Sequence, residues 1–187
     1  AFAARRGSAD ARAAVLLARA QIELAAGHTA EAGPLLTHAL ELRTAEFGDQ
    51  SVRLTEIHNS LGAVYLHDGD YAAASEHFGA ALRIREAHHG PHHPDIARTL
   101  ANLALSLERQ GRYAEAITRL ERAHALLEAA LGPDDASVGQ LLQNLGYMLH
   151  QLGDHDAARV RLEAARDVIE GALGADNPAV APAYTVL

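Results

Sequence analysis

The sequence predicts an all-α fold, an array of stacked antiparallel helix pairs, and three observations carry that prediction. Apolar residues fill 49% of the 187 positions but aromatic ones only 4%, with no Trp. Much of the apolar fraction is alanine, the strongest helix former, and the β-branched and aromatic residues that fill sheets are scarce. The second observation is a period: Gly27, Gly69, Gly111 and Gly153 recur every 42 residues, and Gly48, Gly90, Gly132 and Gly174 keep the same interval. The third is that small and large apolar residues hold their register across this period, as stacked helices require.

Each interval between glycines holds one helical segment. The first glycine of a repeat reads as the tight turn between helix A and helix B, the second as the linker to the next repeat. The A helices are expected near 10–25, 52–67, 94–109 and 136–151, and the B helices near 29–46, 71–88, 113–130 and 155–172. Four repeats then span 9–50, 51–92, 93–134 and 135–176. Residues 1–8 read as the tail of a preceding repeat or linker. Residues 177–187 begin a fifth A helix, with Tyr184 in the column of Leu100 and Leu142, and Leu187 in that of Leu103 and Leu145. With no initiator Met, the expectation is a piece of a longer array, and an uncovered apolar end would favour self-association.

The columns have physical meaning. Ala20, Gly62, Ala104 and Gly146 on helix A are all small, as are Ala32, Ala74, Ala116 and Ala158 on helix B, so the two backbones approach closely there. Leu36, Phe78, Leu120 and Leu162 form a large apolar column, followed by Ala39, Ala81, Ala123 and Ala165. Leu61, Leu103 and Leu145 do similar work on helix A. A lone pair cannot bury such stripes, so neighbours stack.

These residues resemble the tetratricopeptide repeat family. The pattern is carried by LANLALSLERQGRYAEAITRLERA at 100–123 and, in repeat two, by Leu61, Gly62, Tyr65, Gly69, Tyr71, Ala74, Phe78 and Ala81. The family repeat is usually 34 residues. Eight more lengthen helix B and the linker here, and linkers such as LGPDD and HGPHHPD resemble the kinesin light chain subtype. The family proline near the end of helix B is replaced by Thr44, Glu86, Glu128 and Glu170. Repeat one departs furthest, with Arg19 in place of Leu and Glu23 in place of the aromatic. The resemblance implies a right-handed superhelical α-solenoid that binds protein partners.

Four histidines in EAHHGPHHPD, His88, His89, His92 and His93, raise the question of a metal. An ion needs three or four ligands converging at about 2 Å with their tautomers fixed. The repeat supplies a plainer reading. His93 shares a column with Ser51, Asp135 and Asn177, preferred N-cap residues before an A helix, and Pro94 and Pro178 follow as first-turn prolines. His92 lies with Gln50, Asp134 and Asp176, a polar linker position. His88 and His89 end helix B, where positive charge suits the terminal carbonyls. His89 alone replaces a large apolar residue, since its column otherwise reads Phe47, Leu131 and Leu173, and this predicts that an apolar plug has become a titratable ring. No metal site is assigned; a metal site on His88, His89, His92 and His93 and pH sensing stay open as the alternatives to linker chemistry.

Other chemistry is excluded by what is missing. There is no cysteine, hence no disulfide, thiol nucleophile or Cys-based zinc site. There is no nucleophile elbow, phosphate-cradling Gly-rich loop, H-E-x-x-H or kinase catalytic loop. Acidic pairs such as Asp134 with Asp135 and Asp154 with Asp156 read as helix-start residues. A formal charge of -8 repels a phosphate backbone, so nucleic acid is not an expected partner. No apolar run reaches the roughly 18 to 20 residues that cross a bilayer, and no signal peptide is read, so a cytoplasmic location without membrane contact is expected.

What remains is binding. In the family the concave surface is lined by helix A, and an asparagine two residues before the small column holds a ligand's backbone. Asn102 and Asn144 stand there, with Ser60 and Ala18 in the other repeats. An amide both donates and accepts, which suits an extended main chain. Arg98, Gln140 and Glu56 lie one turn earlier, and Asn59, His67, Gln143, Tyr147 and Gln151 are expected nearby. The family's carboxylate clamp does not carry over, because it uses lysines and this chain has none. The expected function is a non-catalytic, cofactor-free scaffold holding a peptide or partner helix. The alternatives are the regulatory array of a larger bacterial signalling enzyme, such as a eukaryotic-like Ser/Thr kinase, and a structural self-assembly module.

Overall fold

The computed structural model of the chain describes residues 2–174 together with 177 and 178. The described residues form helices α1 (Phe2–Ala25), α2 (Thr29–Phe47), α3 (Thr55–Asp68), α4 (Tyr71–His89), α5 (Ile96–Arg109), α6 (Tyr113–Leu131), α7 (Ala136–Leu152) and α8 (His155–Leu173), with a 3-10 turn at Val52–Leu54 before α3. No strand occurs among them. Every B helix starts at the residue the glycine period predicts and ends one residue later.

Three starts differ. Helix α1 begins at Phe2, so the expected tail runs straight into the first A helix. No proline interrupts that stretch, and Gly7 alone costs a helix only about 1 kcal/mol. The second A helix opens with its 3-10 turn, in which Leu54 N–H donates to Ser51 O at 2.9 Å. The third does the same around Pro94: Ile96 N–H donates to His93 O at 3.1 Å and Ala97 N–H to Pro94 O at 2.9 Å, and the α-helix begins at Ile96. A tight i to i+3 turn lets proline enter without wasting a donor. The expected fifth helix, with Tyr184 and Leu187, lies outside the described residues.

The chain divides into two compact units, Ala1–Pro91 and His92–Leu187. In the first, α1 pairs with α2 and α3 with α4, and α2 also packs on α3. Its core contains Ala13, Leu17, Ala20, Ala32, Leu36, Ala39, Ile57, Leu61 and Val64, and Phe78 is buried between α3 and α4. In the second, α5 pairs with α6, α7 with α8, and α6 packs on α7, burying Leu100, Leu120, Leu145, Leu162 and Ile169. Each such side chain contributes about 1.5–3 kcal/mol over its exposed state. The small columns work as expected: a Cβ added at Gly62 would stand 2.6 Å from Phe78 Cε1, and one at Gly146 would stand 2.5 Å from Leu162 Cγ.

The two glycine sets serve different turns. Gly69 and Gly153 take the left-handed helical conformation (φ 84° and ψ 4°; φ 90° and ψ 3°) and reverse the chain between A and B. Gly48, Gly90, Gly132 and Gly174 combine φ of 80–89° with extended ψ, a region essentially reserved for glycine. Each returns its N–H to Thr44, Glu86, Glu128 or Glu170 O at 2.9–3.0 Å. Those four residues occupy the column where the family keeps proline, so the longer helix B ends on a hydrogen bond instead.

Candidate functional site

The linker histidines resolve by their contacts. His93 Nδ1 accepts from Asp95 N–H at 3.3 Å, as Ser51 Oγ accepts from Arg53 N–H and Asp135 Oδ1 from Ser137 N–H. Three different side chains thus cap the same turn two residues on. Asp154 Oδ1 caps α8 through Ala157 N–H at 3.1 Å. The expectation for His89 is overturned: its column is open in the other repeats, with Phe47 37%, Leu131 54% and Leu173 46% exposed, and His89 is exposed as well. No buried plug has been lost. His88 and His89 meet edge to face at 4.6 Å, and His92 is exposed. Among the described residues, no three His, Asp or Glu side chains are placed to hold a metal ion.

On α5 and α7 most of the predicted binding residues lie away from the buried face. On α5 the buried positions are Ile96, Ala97, Thr99, Leu100, Leu103, Ala104, Ser106 and Leu107, which leaves Arg98 exposed and Asn102 half-buried on the opposite side. Ser106, a polar member of the buried face, donates its Oγ–H to Leu103 O at 2.7 Å. On α7, Val138, Leu141, Leu142, Leu145 and Met148 face inward. Gln140, Asn144, Tyr147 and Gln151 are exposed, and Gln143 is half-buried. Spacings of three and four residues align Gln140, Asn144, Tyr147 and Gln151 along one side of α7. The second unit thus presents an amide on each of its A helices, a guanidinium one turn before the first and a phenol, 41% exposed, beyond the second.

In the first unit the same positions are more engaged. Glu56 on α3 accepts from Gln21 Nε2 on α1 at 2.6 Å, bridging adjacent A helices. Gln21 was not singled out from the sequence, although it occupies the column of Tyr147. Asn59 is half-buried and donates to Thr55 O at 2.9 Å within its own helix. His67 lies eleven residues, about 16 Å of helix, beyond Glu56. Its Nδ1 is 3.2 Å from Asp68 Oδ1 and 3.3 Å from Thr29 Oγ1 at the start of α2, so it belongs to the turn end. A groove of about 470 Å³ opens beside it, lined by Thr29, Gly33, Thr37, Glu41, Tyr65 and Asp68 among others. Behind these, Asp10 receives Arg43 Nε at 3.1 Å and Arg53 Nη1 at 2.6 Å, one on each oxygen, tying α1, α2 and the 3-10 turn together.

Sequence reasoning also passed over a histidine pair. His58 on α3 and His77 on α4 are half-buried with their Nδ1 atoms 3.0 Å apart, and Tyr65 stacks on His77 at 5.3 Å with the rings 7° from parallel. Desolvation, then the His77 and Arg83 charges, lower the His58 pKa to about 4. Burial also lowers that of His77, against the opposing pull of Glu76. The signal was available: the column of His58 otherwise reads Leu16, Leu100 and Leu142.

Among the described residues no helix is long and apolar enough to cross a membrane. Known structures share the fold. A kinesin light chain of nearly identical TPR-like repeats from Podosopora anserina superposes with a TM-score of 0.79 at 19% identity, covering 94% of this chain and 86% of its own. BtubC (BKLC) from P. vanneervenii gives 0.64 at 19% identity over 100% and 84% of the two chains. Aspartyl phosphate phosphatase F from Bacillus subtilis gives 0.77 at 20% identity over 93% of this chain and 44% of its own. Identities this low speak for the fold alone. No curated protein matches the sequence significantly. The tetratricopeptide repeat profile matches at residues 11–87, 53–129 and 95–171, each match starting one 42-residue period after the last. The chain belongs to the tetratricopeptide repeat family.

Proposed function

We propose that this array is a non-catalytic protein-interaction scaffold that holds an extended peptide or a partner helix on the open side of its A helices, centred on Asn102 and Asn144. The observation that supports this most is that, in the second unit, Arg98 on α5 and Gln140, Asn144 and Tyr147 on α7 are exposed, and Asn102 on α5 half-buried, off the buried faces of their helices. Side-chain amides on a rigid helix can pair with the donors and acceptors of a peptide main chain without demanding one sequence. The arginine adds attraction for a carboxylate, and the tyrosine offers a stiff apolar contact at low entropic cost. The four predicted repeats, 9–50, 51–92, 93–134 and 135–176, are the units of this scaffold.

The test is capture of a partner by the intact array, its identification by mass spectrometry, and titration against the triple variant Arg98→Glu, Asn102→Ala, Asn144→Ala. All three positions lie off the core, so the helical circular dichroism is expected to persist while affinity falls at least 100-fold. Unchanged affinity would move the partner to another surface. A second reading, the regulatory array of a larger signalling enzyme, draws on the likeness to aspartyl phosphate phosphatase F, where this chain matches 44% of that protein. Whether the gene encodes a catalytic domain beside this array tests it.

A further inference from the structure

The first helix pair places Leu16 and Leu35 against its core. At the equivalent positions of the second pair stand His58 and His77, half-buried and joined Nδ1 to Nδ1 at 3.0 Å. That contact is a hydrogen bond only while one ring donates its proton and the other keeps a lone pair at Nδ1. We propose that this pair is an acid-triggered release between α3 and α4: taking up a second proton removes the acceptor, sets two cations against each other in a half-buried site and loosens the second helix hairpin.

The surrounding groups order the two protonations. On α4, Glu76 lies next to His77 and favours its cation, whereas Arg83 opposes charge on His58. On α3, Tyr65 stacks on His77 and offers its ring face to an imidazolium. On α2, His38 and Glu41 line the groove that Tyr65 also lines. The first proton therefore settles on His77, where Glu76 and Tyr65 tolerate it. The second must go to His58, beside a new cation and Arg83, and it is the disruptive one. Because the two rings share a proton, the steps belong to the pair rather than to either residue.

The direction follows from linkage. His58 holds a folded-state pKa lowered from 6.5 to about 4, so between those values the unfolded hairpin binds more protons than the folded one. Stability is complete above the unfolded value and is lost as the pH falls toward the folded one. At about pH 5, and allowing for partial exposure, the loss is on the order of 10-fold in the folding equilibrium of the hairpin. The exposed residues that α3 carries, Glu56 and His67, lose their support with it, whatever the face binds.

The test is amide hydrogen exchange of the intact chain at about pH 7.5 and about pH 5, corrected for intrinsic rates, with His58→Leu/His77→Leu, the residues of the first pair, as the comparison. Protection of α3 and α4 in the wild type is expected to fall about 10-fold more than that of α1 and α2 on acidification, and the leucine variant is expected to remove that excess. If the leucine pair fails to fold, His58→Gln, which stays neutral and can still hydrogen-bond, is expected to reduce the excess in the same way. An acid effect of equal size in wild type and variant, or one spread evenly over both hairpins, overturns the proposal.

Discussion

Replacing Gly62 with alanine tests the packing logic of the array more sharply than any deletion. The added methyl would stand 2.6 Å from Phe78 Cε1 and 2.8 Å from Cδ1 and Cζ, against about 3.5–4.0 Å for carbon atoms at ease. The ring would have to retreat about 1 Å, yet Phe78 is only 1% exposed and enclosed on all sides. Overpacking of this kind costs about 1–3 kcal/mol, and alanine returns about 1 kcal/mol through its better helix propensity. The expected net loss is about 1–2 kcal/mol. Phe78→Leu alone leaves a void and costs a similar amount. The double variant recreates the pairing of Ala20 with Leu36 and of Ala104 with Leu120, whose four side chains are all buried. It should recover about 2 kcal/mol relative to the sum of the single changes. Urea denaturation followed by helical circular dichroism measures this, compared at constant slope so that all variants expose the same surface. If Gly62→Ala is more stable than wild type, or the two losses simply add, the close approach of α3 to that ring is not what selects glycine.

The linker histidines give further tests. His93→Ala should lower stability by about 0.5–1 kcal/mol through loss of the bond to Asp95 N–H, and His93→Ser should retain it, as Ser51 does in its own repeat. His89→Ala should change stability by less than about 0.5 kcal/mol, since the ring is exposed and its column is open elsewhere; a loss above about 1 kcal/mol would restore the idea of a structural plug. Thermal unfolding by circular dichroism reads both.

Much of the protein was legible because a repeat aligns the sequence with itself. Glycines spaced by 42 place every A–B turn and every linker, since all eight take positive φ and the linker angles are essentially reserved for glycine. The alternation of small and large columns identifies Leu36, Phe78, Leu120 and Leu162 as core, and each is almost fully buried. The capping role of His93 followed from its neighbours in the column, Ser51 and Asp135, and its contact is the same one. Arg98, Asn102, Gln140, Asn144 and Tyr147 were pointed to by the family resemblance; the structure leaves Arg98, Gln140, Asn144 and Tyr147 exposed and Asn102 half-buried. What they bind does not follow from it, because many sequences can present an amide on a helix.

The misreadings share a cause. His89 was read as special because its column is apolar, but apolar identity does not imply burial: Phe47, Leu131 and Leu173 sit at helix ends that the core does not reach. His58 and His77 lie nineteen residues apart in different helices, and only pairing α3 with α4 brings their nitrogens within 3.0 Å. Gln21 and Glu56, and Asp10 with Arg43 and Arg53, are likewise joined only when neighbouring helices pack. The sequence by itself determined period, helices, turns and buried columns, because backbone conformation and hydrophobic burial repeat with the chain. The tertiary structure alone decided which polar side chains meet, because hydrogen bonds and charge pairs depend on distances of a few tenths of an ångström between helices that sequence spacing does not set.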